Sequence, residues 1–415
     1  MSFEEHRKRL YRSIPDNSLI ISYAGVPLHT NEDDYYNFEV NSQFFYLTGL
    51  ERENMAFAAA KTGGSVTEML FIEEADALME RWTGKMPAKE EASAVSGVKD
   101  VRYTSEFDSS LGRIMGRCLI ENVYFDLYRC GLNDLPDYNA LKADEFAGKY
   151  PGVKLCDLHR ACVPLREIKD EDEIACIRKA VDITRQGLEH VMKVLKPGMM
   201  EYQAQAEFEY MCRYLGTKKF SFNTISGSGL NGCMMHYVTN HCEIKDGSLL
   251  LMDLGAKYGN YCSDITRTYP ANGRYTPRQK EIYNLVLKAN KAVAEAARPG
   301  VTLRELNDLT RKILGEGLVE LGLISSWQQV GKYYMHGVSH AIGIDCHDAD
   351  FAGDILKPGW VISDEPGLYI DEEEIGIRIE DDLLITENGC EVLSRDIIRE
   401  TDEIEAFMQK MKSGN

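Results

Sequence analysis

A long helix, a basic-Pro-Gly stop and a second helix occur twice in this chain, and the repeat constrains the fold more than any other feature. The first stop is Lys196-Pro197-Gly198 and the second is Arg298-Pro299-Gly300, 102 positions on (196 to 298). Before the first stop, Ile174, Ile177, Val181, Leu188, Val191 and Leu195 recur at helical spacing from about Asp170 to Leu195. After it, Glu201 to Leu215 reads as the second helix, ended by Gly216. In the second copy Thr276-Pro277 with Gln279 forms a capping box with proline at the first helical position, and Thr302 with Glu305 caps the next helix. Each helix pair is followed by histidines and then by apolar strands bearing acids. These are His236, Asp253 and Asp264 in the first copy, and His336, His340, Glu365 and Glu380 in the second. A duplication of this kind brings two carboxylates from each half to one shared centre.

The local patterns place those acids. SLLLMDLGAKYGNYCSDITRTY reads as a hairpin around Gly259-Asn260. That turn sets Asp253 opposite Thr266, with Asp264 two positions away on the same face. A turn one residue earlier sets Asp253 opposite Asp264, so either register joins the two acids. In IGIRIEDD, Arg378 and Glu380 share one face of a strand. Glu365 closes the apolar run VISDE before Pro366-Gly367, whereas Asp371 to Glu374 lacks apolar partners and reads as a solvated loop. A carboxylate in an apolar strand is costly unless something compensates it.

MHGVSHAIGIDCHD carries His336, His340 and His347 in twelve residues, with glycines that permit close backbone approach. With the four acids, these residues read as a two-metal site of Asp253, Asp264, His340, Glu365 and Glu380. Such a donor set favours Mn, Mg or Fe(II) and admits Co or Zn. A metal pair generates hydroxide near neutral pH and polarises carbonyls, which points to hydrolysis. No H-E-x-x-H occurs, so this is not a zincin, and ISGSG lacks the lysine of a phosphate loop.

A net charge of −19 argues against nucleic acid or an anionic membrane as partner. Eleven scattered cysteines without a C-x-x-C pair imply free thiols and a reducing compartment, the cytoplasm. MSFEEHRKRLYRSIP has no apolar core of a signal peptide, and no run is apolar enough to span a bilayer. Residues 1–165 alternate short apolar runs with polar and helical stretches. SLIISYAG, FFYLTGL, MAFAAAK, EMLFIEE and NVYFDLY read as strands of a small α/β domain. Pro164 marks a turn into the first long helix.

NTISGSGLNGCMMHY, MDLGAKYGNYCSDITRTY, HGVSHAIGIDCHD, SDEPGLYI and GIRIEDDLLIT, in this order, resemble the pita-bread metallopeptidases. The nearest likeness is to Xaa-Pro aminopeptidases (aminopeptidase P) and Xaa-Pro dipeptidases (prolidases). NSQFFYLTGL resembles a strand of the family's creatinase-like N-terminal domain, and LREIKDEDEIACIRKA its entry into the catalytic domain. The resemblance implies an α/β creatinase-like domain over 1–165 and an α+β pita-bread domain with duplicated halves over 166–415. It implies that Asp264 and Glu380 bridge two divalent ions, Mn2+ foremost, with Asp253 on one and His340 and Glu365 on the other. His236, His336 and His347 match substrate and transition-state histidines, and Arg378 an arginine beside the last ligand. The implied chemistry is attack of a metal-bridging hydroxide on the Xaa–Pro carbonyl, with Glu365 moving protons.

ERWTGKMPA resembles an aminopeptidase loop whose tryptophan, here Trp82, reaches the site of a neighbouring subunit, implying a homodimer or higher oligomer. The expected substrates are proline-containing peptides. Two departures concern the pocket rim: His241 stands where the family often has an acid, and Asp364 where an apolar residue is common. The competing expectations are a prolidase, which grips a free carboxylate with arginine, and a non-catalytic pita-bread binding protein.

Overall fold

The computed structural model describes residues 2–351 and 355–412. The chain divides into two compact units, Met1–Leu165 and Arg166–Asn415.

The first unit is built on a six-stranded mixed sheet. Its strands are β1 (Ser18–Tyr23), β2 (Ala56–Thr62), β3 (Ser65–Ile72), β4 (Val101–Tyr103), β5 (Asn122–Phe125) and β6 (Lys154–Asp157), in the spatial order β4-β3-β2-β1-β5-β6. β1, β2 and β3 pair antiparallel, while the outer pairs and β1–β5 are parallel. One face buries Leu19, Ile21, Ala58, Phe71, Val123 and Phe125 against Leu111 of the helix Phe107–Arg117 and Phe146 of the helix Tyr138–Lys149. Each of these aliphatic and aromatic side chains other than Ala58 contributes about 1.5–3 kcal/mol when taken out of water.

Two local expectations fail here. FFYLTGL is not a strand: Ser42–Thr48 is a helix. The Asn41 side chain caps it by accepting from the backbone N–H groups of Gln43 and Phe44, and Gly49 ends it at φ 70°. Phe44, Phe45, Tyr46 and Leu47 are all buried, so the run is apolar all round and its period cannot separate helix from strand. Pro164 does not mark a turn but lies inside the helix Leu158–Arg166.

In the second unit the two helix pairs appear as expected, Glu171–Val194 with Glu201–Tyr214 and Pro277–Ala296 with Leu303–Glu320. The first-copy strands are β7 (Ile225–Ser228), β8 (Leu249–Leu254), β9 (Lys257–Tyr258), β10 (Tyr261–Cys262) and β11 (Ile265–Pro270). β8 is the centre of the sheet β11-β8-β7. Gly259 and Asn260 take φ values of 56° and 64°, the left-handed pair that a two-residue hairpin turn requires. The turn fixes the register at Thr266↔Asp253, the first of the two pairings considered.

The second copy supplies β12 (Val361–Asp364), β13 (Gly367–Ile370), β14 (Ile375–Arg378), β15 (Asp381–Ile385) and β16 (Cys390–Val392). These form a sheet β12-β15-β16 and a hairpin β13–β14. The two copies touch backbone to backbone where β14 passes Gly232. A Cβ on Gly376 would lie 2.0 Å from the Gly232 carbonyl oxygen. Gly376→Ala therefore forces main chain apart, and its expected cost is about 1–3 kcal/mol. Thermal unfolding of the variant measures it, and an unchanged midpoint would contradict this packing.

Candidate metal centre and active site

Asp253, Asp264, His340, Glu365 and Glu380 line one cavity of about 560 Å3, together with His236, His336, His347 and Arg378. Asp253 comes from β8, and Asp264 lies directly before β11. Glu365 and Glu380 follow β12 and β14, so four strand ends deliver the four acids. Ligand atoms of Asp264, His340 and Glu380 lie within 4.8 Å of one another. His340 Nε2 is 3.4 Å from Asp264 Oδ2 and 3.5 Å from Glu365 Oε1. All the sequence-selected residues of the second unit converge here. Trp82, expected at the site of a neighbouring copy, lies in the first unit on the short helix Glu80–Thr83 and is 81% exposed.

The environment is poor for uncompensated acids. Glu380 is held well above the usual carboxylate range by burial and then by Asp264, Glu365 and Asp253. Burial raises Glu365 to about 7, with Asp264 and Asp253 adding to it against His340 and Arg378. Asp253 is raised by burial, partly offset by Arg378. Its Oδ2 accepts from Arg378 Nη2 at 2.5 Å, while Oδ1 is buried without a hydrogen-bond partner. A buried, unpartnered carboxylate oxygen facing three further acids is the arrangement that divalent cations neutralise.

The imidazole fits the same use. The Nδ1 of His340 lies 3.0 Å from the Ala341 carbonyl, which can only accept. Nδ1 therefore carries the hydrogen, and Nε2 is the atom turned to the acids, as a metal-binding histidine requires. The donor set fits a pair of hard or borderline dications.

Around this floor, side chains are held by contacts that the sequence did not signal. Thr266 donates to Glu380 Oε2 at 2.6 Å and accepts from Arg378 Nε at 3.1 Å. Arg378 Nη1 donates to the Tyr369 hydroxyl at 2.9 Å, and that hydroxyl lies 2.8 Å from His336 Nε2. The other ring nitrogen of His336 donates to the Gly337 carbonyl at 2.6 Å. Burial, then Arg378 and His236, lower His336 to about 4, so its ring is neutral and Nε2 accepts from Tyr369. His347 stacks on His340 at 3.9 Å between ring centres and is lowered by burial and by His340. His236 and His347 are exposed to the cavity.

Both departures from the family pattern have a place in the structure. Asp364 is fully buried behind the floor, where Asn290 donates to it at 3.1 Å, and burial and Asp381 push its carboxyl well up. His241 is exposed, with its ring 5.5 Å from that of Tyr202.

Residues 175–387 match the family described as Metallopeptidase family M24, and residues 3–124 match Aminopeptidase P, N-terminal domain. The chain is similar to an Xaa-Pro aminopeptidase of Escherichia coli (strain K12), with 32% identity covering 98% of this chain and 97% of that protein. Among solved structures, a putative aminopeptidase P from Bacillus anthracis superposes with a TM-score of 0.96 at 41% identity, covering 99% of this chain and 98% of that one. Aminopeptidase P from E. coli superposes at 0.91 with 31% identity over the same shares. The two units accordingly have the two-domain architecture of those structures, an N-terminal aminopeptidase P domain followed by a pita-bread domain. With the cavity and its five donors inside the matched segment, this chain belongs to metallopeptidase family M24, a family of metal-dependent hydrolases.

Proposed function

We propose that this chain is an Xaa-Pro aminopeptidase, which releases the first residue of peptides with proline in second position. The observation that carries the reading is the convergence of five metal-type donors on the floor of one cavity walled by His236, His336 and His347. Asp253, Asp264, His340, Glu365 and Glu380 would hold two divalent ions, for which Mn2+ is the proposal from an oxygen-rich set with one imidazole. When bound, the ions polarise the scissile carbonyl and make water acidic enough to attack near neutral pH.

The protein's own side chains do the rest. Glu365, at the edge of the acid cluster beside His340, takes the proton of the attacking water and passes it to the departing prolyl nitrogen. His236 and His347 reach the cavity from its rim and donate to the developing oxyanion, each donor worth a few kcal/mol in such sites, about 2.7–4 in the measured case. Neutral His336, fixed by Tyr369, forms the third histidine wall. Arg378 positions Asp253. The apolar wall of Phe222, Ile225, Met235 and Val238 suits a proline ring, and the carboxylates suit the substrate's ammonium group.

The dipeptidase alternative needs an arginine free to grip a carboxylate. Arg378 is buried, and three of its five N–H groups hold Thr266, Tyr369 and Asp253; a guanidinium fixed in this way to the floor favours the aminopeptidase. The retained donor set disfavours the non-catalytic binder. The proposal extends to a homodimer in which Trp82 meets the neighbouring copy's site, and to a cytoplasmic setting suited to eleven free thiols.

The test is to strip the metal, restore Mn2+, and compare an Xaa-Pro dipeptide with an Xaa-Pro-Xaa tripeptide. The expected result is release of the first residue from the tripeptide, lost on chelation and regained with Mn2+. Cleavage of the dipeptide alone would move the assignment to prolidase. Cleavage of neither, with metal bound, would end the proline reading.

A further inference from the structure

We infer that Cys346 is a positioning residue of the metal centre, whose thiol hydrogen bond to Asp264 sets the orientation of that carboxylate for metal. The inference rests on the reading of Asp264 as a ligand. Cys346 Sγ lies 2.9 Å from Asp264 Oδ2 and lines the same cavity. Asp264 Oδ2 is also the oxygen nearest His340 Nε2. A thiol at neutral pH carries its proton, and a carboxylate only accepts. The bond therefore runs from sulfur to Asp264.

The placement of the thiol is built into the fold. Its loop is closed by Gly343 N–H donating to the Asp345 carbonyl at 3.0 Å and Asp348 N–H donating to the Ala341 carbonyl at 2.9 Å. Asp348, itself buried, is pinned by Arg166 and by Lys169 at 3.1 Å. Across the loop, Cys262 Sγ donates to the Ile344 carbonyl at 3.3 Å and Cys262 N–H to the Gly343 carbonyl at 2.8 Å. A Cβ on Gly343 would come within 2.0 Å of Asp348 Oδ2, so the loop packs too tightly there for a larger residue. Asp264 is fixed from the other side, its N–H donating to both oxygens of Asp382 at 3.3 Å. What remains is rotation of the Asp264 carboxylate about its own side-chain bonds. The S–H contact restrains that rotation and leaves lone pairs of both oxygens for ions. Partners that orient a ligand in this way typically account for 10–100-fold in metal affinity. A thiol is a weak donor, which places Cys346 at the low end.

The experiment uses the full chain, stripped by chelation and titrated with Mn2+, with free ion counted by electron paramagnetic resonance. Cys346→Ala is expected to weaken Mn2+ binding about tenfold. Cys346→Ser, which restores a donor in similar volume, is expected to bind within about twofold of wild type, a recovery that lost packing alone would not give. Equal affinity in Cys346→Ala would overturn the inference, as would a loss in Cys346→Ser as large as in Cys346→Ala. A thiolate-to-cobalt charge-transfer band in the Co2+-loaded protein, absent from Cys346→Ala, would overturn it by making the sulfur a direct ligand. If wild-type protein binds no Mn2+, the metal reading of Asp264 falls first, and this inference with it.

Discussion

Glu380→Gln is expected to lower Mn2+-dependent turnover by more than about a thousandfold while leaving the metal-free fold at least as stable as wild type. The two halves of the prediction have one cause. Glu380 is 2% exposed and faces Asp264, Glu365 and Asp253, so its charge is expensive without cations and useful with them. Glutamine keeps the volume and an oxygen for the Thr266 hydroxyl at 2.6 Å, but removes the charge.

The direction with pH follows. The folded-state pKa of this acid is raised. The metal-free wild type therefore loses stability as pH rises from the unfolded value, about 4.3, through the folded one. The variant has no such loss, so its advantage in the metal-free form grows over that range. Activity, bound metal by elemental analysis, and thermal unfolding against pH are the measurements. Wild-type turnover in Glu380→Gln with a full complement of metal would remove Glu380 from the ligand set.

Arg267→Met is expected to destabilise the second unit by about 3–5 kcal/mol, because it leaves a buried charge with half its compensation. Arg267 is fully buried behind the floor of the site. It donates to Asp381 Oδ1 at 2.7 Å, to the Glu380 carbonyl at 2.6 Å and to the Thr266 carbonyl at 3.0 Å. It also donates to the carbonyls of Ile397 and Ile398. The carbonyls lose their donor, and Asp381 keeps only Arg399, Asn290 and Ser394.

Burial works to raise Asp381, yet Arg267 and then Arg399 outweigh it and hold the carboxyl below its ordinary range. Its pairing therefore stabilises the fold above the unfolded pKa of about 3.9, and that share is lost as pH falls through the lower folded value. Thermal unfolding reads the variant, with an expected drop of roughly 10 °C. Adding Asp381→Leu is expected to recover part of it, since the uncompensated charge then goes too. A drop under about 1 kcal/mol would show that the arginine is not the support described here.

Four of the five candidate donors were legible in the sequence as local anomalies, and Asp264 by sharing a hairpin face with Asp253. Asp253 sits in SLLLMD, Glu365 closes VISDE, Glu380 ends IGIRIE and His340 lies among glycines. Acids in apolar strands call for compensation, and strand periodicity assigns them a face. The hairpin was legible to within one residue of register, and the left-handed turn at Gly259-Asn260 then set Asp253 opposite Thr266.

FFYLTGL shows where such reasoning stops. Its flanking Asn41 and Gly49 were helix caps in plain view, but four consecutive buried apolar residues carry no period. Tyr369 and Thr266, which tie Arg378 to His336 and to Glu380, are ordinary strand residues in sequence. Asp364 drew notice only as a departure, and neither Asn290 nor Arg399 gave any sign of sharing a buried cluster with it and Asp381.

The sequence by itself determined the four long helices of the second unit, the capping boxes of the later two, the segment that carries each acid, the face that acid shares and the kind of donor present. All of these depend on spacing within a few residues, where backbone geometry and side-chain chemistry act directly. Only the tertiary structure decided that Arg378 is held by Asp253 and Tyr369, that Arg267 braces the Glu380 carbonyl from behind, and that the Cys346 thiol meets Asp264. Those partners are 9 to 125 residues apart in the chain. Their meeting depends on how strands and helices pack, which no local pattern encodes.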